Sequence, residues 1–391
     1  MKSAIMDPCP TPLPSSTDQI TAAVRAELAA GRLDRASALC RQLLEATPDG
    51  AGALGLAGAV ALRAGRHDLA LALSDRAVAL EPGSAGHHDT LGLALAAVGR
   101  LGESLEHHRR AVALSPADPE FQRDLGLILA RMGRRREAGT VLAAVLARHP
   151  AFPGALSGLA SVTLPGADYR SVLAWIHEAL RPRTYVEIGV ESGATLALAR
   201  PPTLALGIDP APRVSHTFGV PTRLFVTTSD DFFARHDLIA ELDGQRVELA
   251  FIDGLHTFDQ ALKDFANLER SANASTVIVF HDILPLDAIS SARVRRSDFW
   301  TGDTWKVLPA LRRYRPDLAV FVVPTAPSGL AVVSGLDPSS TILVEAFDQI
   351  VAGLMPLTLA DWQAQQRAFG PTTIPNRQAA VAEHLARLRG P

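Results

Sequence analysis

The run VEIGVESGATL, Val186 to Leu196, decides how the second half of this chain folds. It starts as an apolar strand, turns through Gly189 and Gly193, and ends with helix-compatible residues. The glycines permit a tight turn with close backbone approach, and the start of the following helix leaves N–H groups free. A dinucleotide fingerprint needs a third glycine, as G-x-G-x-x-G, and none is present. Instead Glu187 precedes the first glycine, giving E-x-G-x-x-x-G. A carboxylate there repels a pyrophosphate and suits a cationic ligand group.

Outward from this turn, YVEIGV, LALGID, RLFVTT, ELAFID and TVIVFHD are five apolar runs of strand length. Helical stretches separate most of them, so a parallel α/β sheet is predicted. LAVFVVP and GLAVVSG, joined by TAPS, read as a hairpin that closes the sheet with an antiparallel pair. Open parallel sheets bind ligands beyond the carboxyl ends of their strands. Those ends carry Glu187, Asp209, Asp253, His281 and Asp282. Asp209 ends the second strand, where a carboxylate can accept from both hydroxyls of a ribose.

A glycine turn, an acid before it and an acid after the next strand together resemble the class I S-adenosylmethionine-dependent methyltransferases. The resemblance implies a Rossmann-like sheet with helices on both faces. It also implies S-adenosylmethionine as cofactor, with Glu187 toward its methionine end, Gly189 and Gly193 in the turn and Asp209 on the ribose. Ser229 and Asp230, within TTSDDFF, would border the adenine.

DGLHTFDQALKDF and VIVFHD are similar to one branch of that superfamily, the bacterial sugar and small-molecule O-methyltransferases with their cephalosporin-hydroxylase-type relatives. In that branch strand-end acids hold a divalent metal. Carried over, this implies Mg2+ or Mn2+ on Asp253, His281 and Asp282, with His281 standing where the branch has an acid. Imidazole is a competent ligand for softer divalent ions. A metal lowers the pKa of an acceptor hydroxyl, and a general base takes its proton; His256 and His281 are the base candidates, with Asp253 beside them. The alternatives are local: Asp282 as a turn cap, His281 as a core imidazole, Asp253-Gly254 as turn chemistry. Trp305 reads as core, with a place in a substrate pocket as the alternative.

The first half repeats. Gly31, Gly65, Gly99 and Gly133, each followed by arginine, stand 34 residues apart; so do Pro48, Pro82, Pro116 and Pro150. Small residues follow in register at Ala36, Ala70, Ser104 and Ala138. Each unit reads as two helices with glycine at the end of the first and proline after the second. Gly58, Gly92 and Gly126 let the paired helices approach. The pattern resembles the tetratricopeptide repeat over roughly residues 17 to 152, which implies a protein partner or self-association. The first unit departs from it with Val24 in place of glycine, as a terminal repeat can. His87, His88, His107 and His108 read as solvated surface.

The whole chain has 391 residues, 47% hydrophobic and 20% charged, with formal net charge −3. Length favours two domains, and the charge gives no case for nucleic acid or an anionic membrane. Cys9 and Cys40 form no metal or redox pair. No apolar run has the length of a membrane span or a secretory leader, so a cytoplasmic protein is expected. The expected layout is a disordered 1–16, a tetratricopeptide α-solenoid with a capping helix over 17–166, a methyltransferase α/β domain over 167–336 and a helical tail over 337–391. The expected activity is methyl transfer to a small-molecule or carrier-bound acceptor, probed against two rivals: a repeat scaffold with a non-catalytic sheet domain, and a non-methylating enzyme on the same fold. For the tail, the sequence offers only a solvated, basic end.

Overall fold

The computed structural model describes residues 16–164, 166–369 and 371–388. The expectation of disorder over 1–16 therefore falls, except for Ser16, outside the described residues, as does Cys9. The chain divides into two compact units, Met1–His149 and Pro150–Pro391.

The first unit is the tetratricopeptide solenoid, eight helices in four antiparallel pairs. They are α1 (Thr17–Ala29), α2 (Leu33–Ala46), α3 (Ala51–Arg63), α4 (His67–Leu80), α5 (Ala85–Ala97), α6 (Leu101–Leu114), α7 (Pro119–Arg131) and α8 (Arg135–Arg148). The Gly-Arg pairs have one physical reason. Each glycine is left-handed, with φ between 71° and 84°, and ends the first helix of its pair. The arginine N–H then bonds back to the helix, as in Arg32 to Glu27 O and Arg66 to Ala61 O, both 2.9 Å. That is the Schellman closure, which needs a residue free to adopt positive φ.

The small-residue columns sit where the helices touch. A Cβ on Gly58 would lie 2.5 Å from Ser74 Oγ, one on Gly92 2.8 Å from His108 Nε2, and one on Gly126 2.6 Å from Leu142 Cγ. Each glycine therefore makes room for the residue sixteen positions later. In the first unit that residue is the short Cys40, and Val24 fills the space; both are buried in one cluster. The same logic corrects the surface reading of the histidines. None of the four is exposed. His108 is buried over Gly92 with Nδ1 3.1 Å from Asp89 Oδ1, and His88 Nδ1 lies 2.9 Å from His107 Nδ1.

The second unit opens with α9 (Ala155–Thr163) and α10 (Tyr169–Leu180), the latter capped by Asp168, which accepts from Ser171 N at 2.8 Å. A mixed eight-stranded sheet follows: β1 (Thr184–Ile188), β2 (Leu204–Ile208), β3 (Thr222–Phe225), β4 (Val247–Ile252), β5 (Ala272–Phe280), β6 (Ala319–Val323), β7 (Leu330–Ser334) and β8 (Thr372–Thr373). Its order is β3-β2-β1-β4-β5-β7-β6-β8. The first five strands are parallel, and β7 runs antiparallel between β5 and β6, as the hairpin reading expected.

Both faces are covered. On one, Val186, Ile188 and Ile252 pack with α11 (Phe258–Arg270) and α12 (Val307–Tyr314), and on the other, Tyr185, Leu249 and Phe251 pack with α10. Trp305 is core, stacked on Trp362 at 6.2 Å. The tail is not a solvated end. Its last helix (Gln378–Leu388) buries Val381 and Leu385 in the same cluster as Val172 and Ile176 of α10. Among the described residues no helix is long and apolar enough to cross a membrane.

Candidate functional site

Strands β1, β2, β4 and β5 end on one edge of the sheet, and a cleft of about 820 Å3 opens there, within the range of small-molecule sites. Gly189, Asp209, Ser229, Asp230, Asp253, His256, His281 and Asp282 all line it. Glu187 and Gly193 are not among its lining residues.

Glu187 lies beneath the floor, fully buried. Its two oxygens accept from Tyr185 Oη at 2.6 Å and Thr195 Oγ1 at 2.7 Å. Burial, reinforced by the Asp253 and Asp209 charges, pushes its carboxyl up to about 8. What it presents to the cleft is therefore Thr195, which lines it, rather than its own carboxylate. Gly189 has φ 89°, and a Cβ there would sit 2.1 Å from Asp253 O. Its close approach is to the end of β4, which locks two strand ends together. Asp209 accepts from Val190 N, Glu191 N and Ala211 N at 2.7–2.9 Å, so it organises the glycine turn as well as facing the cleft.

Across the cleft the acids and imidazoles form one cluster. His256 Nδ1 lies 2.5 Å from Asp282 Oδ2. The two buried atoms form an ion pair and have no other hydrogen-bond partner among the described residues. Burial alone would lower the His256 pKa, but the Asp282 and Asp253 charges raise it to about 9. The Asp282 carboxyl, which burial would raise, is held below its ordinary value by His281 and His256. Ligand atoms of Asp253, His256 and Asp282 all lie within 4.8 Å of one another.

His281 occupies a different place. Its Nδ1 is 3.0 Å from Asp253 Oδ1, its Nε2 is 3.1 Å from Ser328 Oγ, and its ring stacks on Tyr169 at 4.2 Å. With both nitrogens engaged it braces the acids from behind. The converging donor set is thus Asp253, His256 and Asp282, and His256 stands where the sequence reading placed His281. Both imidazoles are engaged by the acids: His256 faces Asp282, and His281 is held between Asp253 and Ser328.

Ser229 and Asp230 begin the helix Ser229–Arg235, and Gln260 Nε2 donates to both, at 3.1 and 2.9 Å. Residues that sequence reasoning missed complete the site. Trp300 stacks on His256 at 5.1 Å, Ser328 engages His281, and Asp303 accepts from Phe258 N at 3.1 Å, fixing the start of α11. Trp300 lies in an irregular arginine- and aspartate-rich stretch, and Ser328 in a hairpin turn; neither segment has a period that marks a site.

Residues 186–283 match the family described as a methyltransferase domain, and residues 21–85 match the tetratricopeptide repeat. The chain therefore joins a protein-interaction repeat region to a methyltransferase domain. Among solved structures it is similar to MamA from Desulfovibrio magneticus RS-1, at 24% identity, covering 34% of this chain and 76% of that one, TM-score 0.31. It is similar also to a thermophilic tetratricopeptide protein of Thermus thermophilus, at 25% identity over 38% and 81% of the two chains, TM-score 0.36. A third likeness is to the O-GlcNAc transferase of Thermobaculum terrenum, at 19% identity over 60% and 45%, TM-score 0.33. Comparison with curated proteins gives no match.

Proposed function

We propose that this is a cytoplasmic O-methyltransferase: its sheet unit moves a methyl group from S-adenosylmethionine to a hydroxyl of a sugar or other small or carrier-bound acceptor, with Mg2+ or Mn2+ held by Asp253, His256 and Asp282. The observation that carries this reading is the convergence of Asp253, His256 and Asp282, whose ligand atoms lie within 4.8 Å of one another, with His256 Nδ1 2.5 Å from Asp282 Oδ2. Two carboxylates with one imidazole suit a hard or borderline divalent ion.

S-adenosylmethionine supplies an electrophilic methyl group, and a divalent ion supplies charge that lowers the pKa of a neighbouring hydroxyl. The chain does the rest. Asp209 holds the glycine turn in shape and offers its carboxylate to the ribose. Ser229 and Asp230, fixed by Gln260, border the adenine. Asp253 has Oδ1 tied to His281 and takes the acceptor proton at its other oxygen. This moves the proton-accepting role from the imidazoles to the carboxylate. His256, pinned by Trp300, and Asp282 fix the acceptor beside the methyl group, where positioning supplies several kcal/mol of the barrier. The repeat unit recruits a protein partner, the carrier of the acceptor in the carrier-bound case.

Calorimetric titration of the full chain with S-adenosylhomocysteine, with and without Mg2+ or Mn2+, tests this. Micromolar binding supports the reading. No binding under any condition overturns it and favours a non-catalytic scaffold.

A further inference from the structure

The stretch between β5 and α12 carries three arginines, Arg293, Arg295 and Arg296, and they are treated differently. Arg293 is neutralised: its Nη2 donates to Asp259 Oδ2 at 2.9 Å, and its Nη1 lies 3.4 Å from both Asp303 oxygens. Arg296, exposed like Arg295, does not line the cleft. Arg295 lines the cleft with His256, Phe299 and Trp300, and no carboxylate among the described residues pairs with it. Its Nε and Nη2 donate to backbone carbonyls, Ser297 O and Asp298 O, both at 3.1 Å. Those bonds aim the guanidinium without cancelling its charge.

Two other arginines line the cleft: Arg170, which donates to Tyr169 Oη at 3.2 Å, and Arg213, whose backbone N–H bonds to Glu191 O at 2.7 Å. Arg295 is set apart by its segment, which also brings Trp300 onto His256; with a divalent ion compensating Asp253 and Asp282, it is the charge this segment leaves available to a ligand. A neutral acceptor draws nothing from it. A carboxylate or phosphate gains charge-assisted hydrogen bonds about twice as strong as neutral ones, in a geometry the guanidinium fork matches.

We infer that the acceptor carries a negatively charged group, a carboxylate or a phosphate, near the hydroxyl it presents, and that Arg295 binds that group. The inference rests on the methyl-transfer reading above and narrows its substrate class to anionic acceptors.

The test is saturation-transfer NMR on the full chain with Mg2+ and S-adenosylhomocysteine, using D-glucose, D-glucuronate and D-glucose 6-phosphate as probes. Signals from glucuronate, glucose 6-phosphate or both, without a comparable signal from glucose, are expected, and the responding probe identifies carboxylate or phosphate. Arg295→Ala should weaken the anionic probe at least about tenfold, Arg295→Lys should restore part of it, and Arg296→Ala should keep it. Equal signals from glucose, no anionic binding, or indifference to Arg295→Ala overturns the inference. S-adenosylhomocysteine is read in the same tube: its absence refutes the methyl-transfer reading, whereas its presence without anion preference refutes this inference alone.

Discussion

His256 Nδ1 approaches Asp282 Oδ2 to 2.5 Å while both residues hold left-handed backbone, at φ 58° and 59°. Non-glycine residues in that region store on the order of 1–3 kcal/mol each. Gly302 helps to impose it, for a Cβ there would lie 1.8 Å from His256 O. The strain is concentrated where two donor side chains must face one another, which is where a ligand site would store it.

Replacing Asp282 by Asn removes one charge from the converging set while keeping its shape. Titration with Mn2+, followed by electron paramagnetic resonance, should show affinity reduced at least about tenfold, and His256→Ala should do the same. Unchanged Mn2+ binding in both variants would show that the cluster is an ion-pair network and holds no metal.

Ser328 is fully buried, with Oγ 3.1 Å from His281 Nε2. Groups one bond removed from a metal site typically change its affinity 10–100-fold. Ser328→Ala is therefore expected to weaken Mn2+ binding by about tenfold and to change the His281 ring-nitrogen chemical shifts, while Ser328→Thr retains part of the affinity. A variant with weaker Mn2+ binding but unaltered His281 resonances would contradict the bracing role.

The parallel sheet and the solenoid were legible because each has a period: apolar runs between helices in one case, a 34-residue register in the other. The strand-end positions Asp209, Asp253 and Asp282 were legible for the same reason, since topology puts strand ends at one edge. The exchange of His256 for His281 was not. Both follow apolar strand residues closely, and only the left-handed turn at His256 and the hydrogen bond between Ser328 and His281 separate their roles. The tail was read as helical, but its burial escaped because Val381 and Leu385 are isolated apolar residues among alanines and charges, and their burial depends on α10 lying opposite.

Gly189 illustrates a second limit: sequence reasoning gave its freedom to a ligand, whereas the structure gives it to Asp253 O. Gly189→Ala should therefore destabilise the unit even without ligand. The positive φ alone costs about 1 kcal/mol or more, and a contact at 2.1 Å with backbone cannot be relieved by a rotamer change. Urea unfolding of the ligand-free protein reads this; stability equal to the parent would remove the strand-locking account.

Glu187 makes a prediction in pH. Its carboxyl is raised from 4.5 to about 8 by burial, so the folded protein keeps a proton that the unfolded chain releases. The stability it contributes is full below about pH 4.5 and declines as pH rises toward 8, by an amount on the order of a few kcal/mol. Gln at this position mimics the protonated acid: its carbonyl oxygen can accept from Tyr185 Oη and its amide can donate to Thr195 Oγ1. Urea unfolding at pH 5, 6.5 and 8 should show the parent losing stability across that window and Glu187→Gln losing distinctly less, with the two closest at pH 5. If both lose stability in parallel, Glu187 is ionised in the fold, and the carboxylate beneath the glycine turn carries its charge before any cationic ligand arrives.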